Sequence, residues 1–197
     1  MEKIINDALS FAQQILAFDS SGHDYQHVVR VYNIAMMLNS NEKVNEIQLG
    51  LTAILHDVDD HKIFNTSENK DNARSFLIAN NIENSKIEVI IKDIKNISYS
   101  QGDSSLLSKI GQIVCDADRL DAIGAIGIAR CFSYSGSTNR SLDDSIKHFD
   151  DKLFKLQALM FCDQAKKIAK ERSDFMHLFY QQYQKELAES KTRDIGK

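Results

Sequence analysis

Residues 51–62 read LTAILHDVDDHK, and the architecture of the whole chain hinges on this stretch. Leu51 to Leu55 are near-pure core, and they run straight into His56 and Asp57. Charged side chains almost never enter a core without a partner, so a His-Asp pair at the end of a buried helix needs one. Adjacent helical residues point about 100° apart. Both can therefore reach a single ion lodged in that angle where the helix ends. A second intrusion has the same form: Ile110, Ile113 and Val114 lead into Asp116 and Asp118.

Working outward, the hydrophobic period is helical throughout. Residues 44–57 carry Ile47, Leu51, Ile54 and Leu55. Residues 24–40 place Val28, Val31, Ile34, Ala35 and Leu38 on one face. Residues 2–18 repeat Ile4, Ile5, Ala8, Phe11, Ala12, Ile15 and Leu16 at three- and four-residue steps. Downstream, residues 67–80, 83–96 and 106–118 are expected helices, with a polar loop at 99–105. Residues 120–132 are small and apolar. Glycine costs a helix about 1 kcal/mol against Ala, so Gly124 and Gly127 point to close backbone approach to another helix. The Ser-rich stretch 133–141 reads as a loop. From Leu142 the apolar positions mark a long helix through Met160, followed by a last helix to about Ala188.

The composition agrees. There is no Pro, the residue that breaks helix interiors, and the 197 residues include only 8 Gly. The expected fold is all-α, and this length suits one domain. That domain spans residues 1–190, with its core at about 20–135, C-terminal helices at about 142–188 and a tail at 191–197. The net charge of −4 lacks the basic surplus of a chain that grips a nucleic-acid backbone, so no nucleic-acid partner is expected. The N-terminus carries Glu2 and Asp7 and is not a signal peptide. Nowhere do about 18 apolar residues run uninterrupted, so no membrane span is expected. Cys115, Cys131 and Cys162 share no CxxC spacing, which fits buried free thiols in a reducing cytoplasm.

Three places hold side chains suited to a metal: HDYQHVVRV at 23–31, the HDVDDHK run at 56–62, and DADRLDAIGAIGIAR at 116–130. The ordered set HxxRV, then HD, then DADRLD resembles the HD superfamily of metal-dependent phosphohydrolases. More narrowly it is similar to the small stand-alone bacterial HD hydrolases, whose late HFxxKL segment here reads His148 to Leu153. The resemblance covers roughly residues 5–190 and implies a single HD-domain helical bundle. It also implies four metal ligands: His27, the His before xxRV; the doublet His56 and Asp57; and Asp118, the Asp before Arg-Leu. Asp116 competes for the last place, and His23-Asp24 spells HD without being the doublet. One departure is visible. Ile97 stands where many relatives carry a His, which bears on any substrate contact or second metal there.

Two imidazoles and two carboxylates suit one divalent ion, and Mn, Fe, Co, Ni or Zn better than Mg or Ca. The implied activity is hydrolysis of a nucleotide or other small phosphate compound, with pyrophosphohydrolysis of a nucleoside triphosphate as the first expectation. A non-catalytic metal- or nucleotide-binding HD module is the alternative. Asp57 joins the catalytic set through the ion. Asp60, one turn beyond His56 if the helix continues, is a candidate to move a proton, set against a solvated helix-end carboxylate. Lys62 and Arg30 are candidates for substrate phosphate, and Arg30 could equally pair with and support a ligand carboxylate. Arg119 and Asp121 are expected to pair with each other or with neighbours. The oligomeric state is left open.

Overall fold

The computed structural model describes residues 2–16, 24–59, 71–98 and 102–191. Among these residues there are nine α-helices and no strand. They are α1 (Glu2–Leu16), α2 (Tyr25–Glu42), α3 (Glu46–Leu55), α4 (Asn72–Ala79), α5 (Asn84–Ile97), α6 (Lys109–Asp121), α7 (Gly124–Ser137), α8 (Leu142–Asp151) and α9 (Asp163–Lys191). Short 3₁₀ segments lie at Ser104–Leu106 and Leu153–Leu159. No helix among the described residues is long and apolar enough to cross a membrane. The three cysteines are buried and unpaired.

Local chemistry sets the helix ends. Asp24 caps α2 by accepting from the His27 amide at 2.8 Å, Asn45 caps α3 through Gln48 N, and Ser108 caps α6 through Gly111 N. Such caps satisfy first-turn N–H groups that have no partner within the helix. Lys43 closes α2 in the left-handed region at φ 54. The Asn39 side chain then bridges the turn, accepting from Val44 N and donating to Val44 O.

At the centre α2 packs against both α3 and α6. One apolar cluster joins α1, α3, α4 and α5 through residues such as Ala8, Leu16, Leu51, Ile54, Leu77 and Ile90. A second joins α2, α3 and α6 to the C-terminal helices through Leu38, Leu49, Ile113, Leu120 and Phe149. Each of these Leu, Ile and Phe side chains contributes roughly 1.5–3 kcal/mol by leaving water. The polar ends of α3 and α6 meet α2.

Three expectations change. The Ser-rich stretch does not end α7, which continues to Ser137. Ser135 Oγ donates to Cys131 O at 2.8 Å and receives Ser145 Oγ at 2.7 Å, so hydroxyls that often favour turns are satisfied inside the helix. The helix beginning at Leu142 stops at Asp151, and Lys152 (φ −135, ψ −58) leads into a 3₁₀ segment. The chain is drawn there onto α6, where Arg119 donates to Leu159 O and Asp116 accepts from Phe161 N. Finally, only one of the two glycines faces another helix. Gly124, at φ +77, lies against Arg172 of α9, whereas a side chain at Gly127 would strike the Ala122 carbonyl of the preceding turn.

Candidate metal centre

Helix α3 ends at Leu55, and residues 56–59 form a turn that swings His56 and Asp57 toward α2 and α6. His27 comes from the first turn of α2, where the Asp24 cap fixes its backbone. Asp118 comes from the last turn of α6. His27, His56 and Asp118 each present a ligand atom within 4.8 Å of one another. Asp57 lies among them: its Oδ2 is 3.3 Å from His27 Nε2 and its Oδ1 is 3.3 Å from His56 Nε2. Asp118 Oδ1 is 3.4 Å from His27 Nε2.

Both imidazoles are turned the same way. His27 Nδ1 meets Asp121 Oδ2 at 2.8 Å, and His56 Nδ1 meets Ala53 O at 2.7 Å. A carbonyl can only accept, so His56 Nδ1 carries the proton and Nε2 is left with the ligand lone pair. His56 Nε2 is buried, and although Asp57 is near, no hydrogen bond of good geometry reaches it among the described residues. Two carboxylates packed around inward-facing imidazole nitrogens form a donor set that fits a divalent cation.

Without an ion, the carboxylates favour a protonated His27, and a cation at Nε2 would take that proton's place. Burial works to lower the His27 pKa, but hydrogen bonds to Asp121 and Asp57 outweigh it and raise the group from 6.5 to about 9. Burial works to raise that of Asp121, yet His27, Arg30 and Arg130 hold its carboxyl well below the usual range.

Asp116, the competitor for the fourth position, faces elsewhere. It is fully buried and accepts from Phe161 N at 2.9 Å and Cys162 N at 2.7 Å, while Asp118 is the one beside His27. Arg30 donates through Nε to Asp121 Oδ1 at 2.6 Å and through Nη2 to Oδ2 at 3.1 Å, which places it behind His27. Its side chain stays 29% exposed, so it retains an open edge. Arg119 and Asp121 do not pair with each other: Arg119 runs over the Phe161 ring to the Leu159 carbonyl. Asp59 accepts from Asn72 N at 2.7 Å and Ala73 N at 3.1 Å, tying the doublet's turn to the start of α4. Ile97 is buried in the apolar core. Asp60, Lys62 and His23 lie outside the described residues. The helical premise behind the Asp60 assignment does not hold, since α3 ends at Leu55.

Sequence reasoning missed two participants, Arg130 and the His27-directed role of Asp121. Arg130 Nη1 donates to Asp121 Oδ2 at 2.7 Å. The signal was present for Asp121, because residues three apart on a helix share a face and Asp118 was already a candidate ligand.

Known proteins resemble this chain along most of its length. The HD domain family model matches residues 24–123. YpgQ of Bacillus subtilis is 33% identical over 186 residues, covering 90% of this chain and 91% of its own. The crystal structure of YpgQ in complex with ADP superposes with a TM-score of 0.77 at 30% identity, covering 93% of this chain and 95% of that one. A protein of Lactobacillus plantarum gives a TM-score of 0.81 at 33% identity, with 95% and 98% covered. An HD-superfamily hydrolase of Bacillus thuringiensis gives 0.77 at 34% identity, again with 95% and 98% covered.

Proposed function

The chain belongs to the HD domain family, and from that premise we propose that it is a metal-dependent phosphohydrolase acting on a nucleotide. The observation that carries this reading is the meeting of His27, His56 and Asp118 within 4.8 Å, with Asp57 between them. His27, His56, Asp57 and Asp118 would hold one divalent ion, with Mn, Fe, Co, Ni or Zn favoured by the donor chemistry. When bound, such an ion stabilises charge on a phosphoryl group and acidifies water.

The chain's own residues do the rest. His27 and His56 are oriented by their Nδ1 partners before any ligand arrives, so little reorganisation is needed. Arg30 keeps N–H donors beyond those given to Asp121, and a phosphate oxygen at the open side of the cluster is their natural acceptor. Lys62 and Asp60 follow the HD doublet in the HDxxDxK motif, and on that resemblance, not on helical spacing, Lys62 is proposed for substrate phosphate and Asp60 for proton transfer. The ADP bound to YpgQ supports a nucleotide as the substrate class. Within that class the favoured reaction is cleavage of a nucleoside triphosphate to monophosphate and pyrophosphate. The chain is assigned to the cytoplasm, where its three buried thiols stay reduced.

The test is to strip the protein of metal, add back Mn²⁺, and follow phosphate and pyrophosphate release from a nucleotide panel. Turnover restored by metal and abolished in Asp57→Ala is expected. No turnover with any divalent ion or nucleotide would sink the enzyme reading.

A further inference from the structure

Asp121 is fully buried, and its four hydrogen bonds all come from side chains: His27 Nδ1 at 2.8 Å, Arg30 Nε at 2.6 Å, Arg30 Nη2 at 3.1 Å and Arg130 Nη1 at 2.7 Å. Asp118 lies one turn earlier on α6, with its Oδ1 3.4 Å from the other nitrogen of the same ring. One turn of α6 thus grips His27 from both sides, one carboxylate to each nitrogen. Asp93 and Asp116, also fully buried, are used differently: Asp93 accepts from Ser108 N and Oγ, and Asp116 accepts from main-chain amides.

We propose that Asp121 is the positioning residue of the metal centre, holding the proton on His27 Nδ1 so that Nε2 faces the ion, and using the same carboxylate to hold Arg30 and Arg130 as a guanidinium pair beside it. This rests on the metal-site reading above. The imidazole has two nitrogens and one proton when neutral, and the partner at Nδ1 decides which nitrogen is left to ligate. A carboxylate only accepts, so it selects the Nδ1–H tautomer outright. An amide in its place loses the charge and keeps one acceptor oxygen, while its NH₂ group opposes the donors on the other side.

The experiment compares Mn²⁺ binding by calorimetry, at one pH, for the wild type, Asp121→Asn and Asp93→Asn. Asp121→Asn is expected to remain folded by circular dichroism and to bind Mn²⁺ roughly 10–100-fold more weakly, the usual cost of losing an outer partner. Asp93→Asn is expected to stay within about twofold, since Asp93 touches no ligand. Folded Asp121→Asn with wild-type Mn²⁺ affinity overturns the proposal, whatever its melting temperature. Should that variant not fold, ¹⁵N-histidine NMR of the Zn²⁺-loaded wild type decides. A proton on His27 Nδ1 and a metal shift at Nε2 support the proposal, and the reverse assignment overturns it. A wild type that binds no divalent ion sinks the metal-site reading and this proposal with it. A wild type that binds while Asp121→Asn binds equally well removes only the role of Asp121.

Discussion

Asp116 and Asp121 lie five residues apart on α6, both fully buried, and they are satisfied by opposite kinds of donor. Asp116 takes the main-chain amides of Phe161 and Cys162 and so fastens the segment leading into α9 to α6. Asp121 takes only side chains, and one of these is the imidazole that faces Asp57 and Asp118. A carboxylate bonded to backbone fixes where a segment runs. A carboxylate bonded to side chains fixes where functional groups point. The first is therefore expected to govern stability and the second ligand geometry, although helix, burial and residue type are the same.

The largest expected effect lies on the metal side of this contrast. Asp57→Ala should lower nucleotide hydrolysis by more than the roughly 100-fold typical of outer partners of a metal site, with stability nearly unchanged. Initial rates at saturating Mn²⁺ measure it, and a fall of only a few-fold would remove Asp57 from the centre. Asp116→Ala should do the reverse. It leaves two amides without their acceptor, at about 1–3 kcal/mol for each buried group. Urea unfolding should record that loss while the metal affinity of the folded protein holds.

A pH prediction separates the metal-free and loaded states. The His27 pKa in the folded protein is raised from 6.5 to about 9. Its contribution to the stability of the metal-free protein is therefore fully present below about pH 6.5 and lost as the pH rises through about 9, at up to about 1.4 kcal/mol per pH unit. Denaturation of chelator-treated protein at several pH values tests the sign. Rising stability across that window would contradict it. The smallest effect concerns Asp59, whose cap on α4 should cost about 1 kcal/mol when replaced by Ala. A melting temperature equal to wild type would show the cap to be idle.

Much of this was legible in the sequence because polar groups interrupt apolar periodicity only where something requires them. The all-α fold and the polar intrusions at 56–57 and 116–118 follow that signal, whereas the helix expected to 57 stops at Leu55, and the grouping of 27, 56 and 118 came from the resemblance of the motifs. The division of labour along α6 did not. Residues two apart on a helix point about 200° away from each other, so Asp116 and Asp118 must face different surroundings, and the letters DADRLD do not say which faces the ligands. The ends of α7 and α8 differ from expectation for a related reason. A serine looks the same whether its hydroxyl bonds within a helix, as Ser135 does, or opens a turn. The stop at Asp151 depends on distant anchors at Asp116 and Arg119.

The most direct measurement is the metal content of protein purified without chelator, for the wild type, Asp118→Ala and Asp116→Asn side by side. The account predicts about one divalent ion per chain in the wild type, the same in folded Asp116→Asn, and little or none in Asp118→Ala. An ion retained in Asp118→Ala and lost in Asp116→Asn would contradict it, and would place the ligand on the other face of α6.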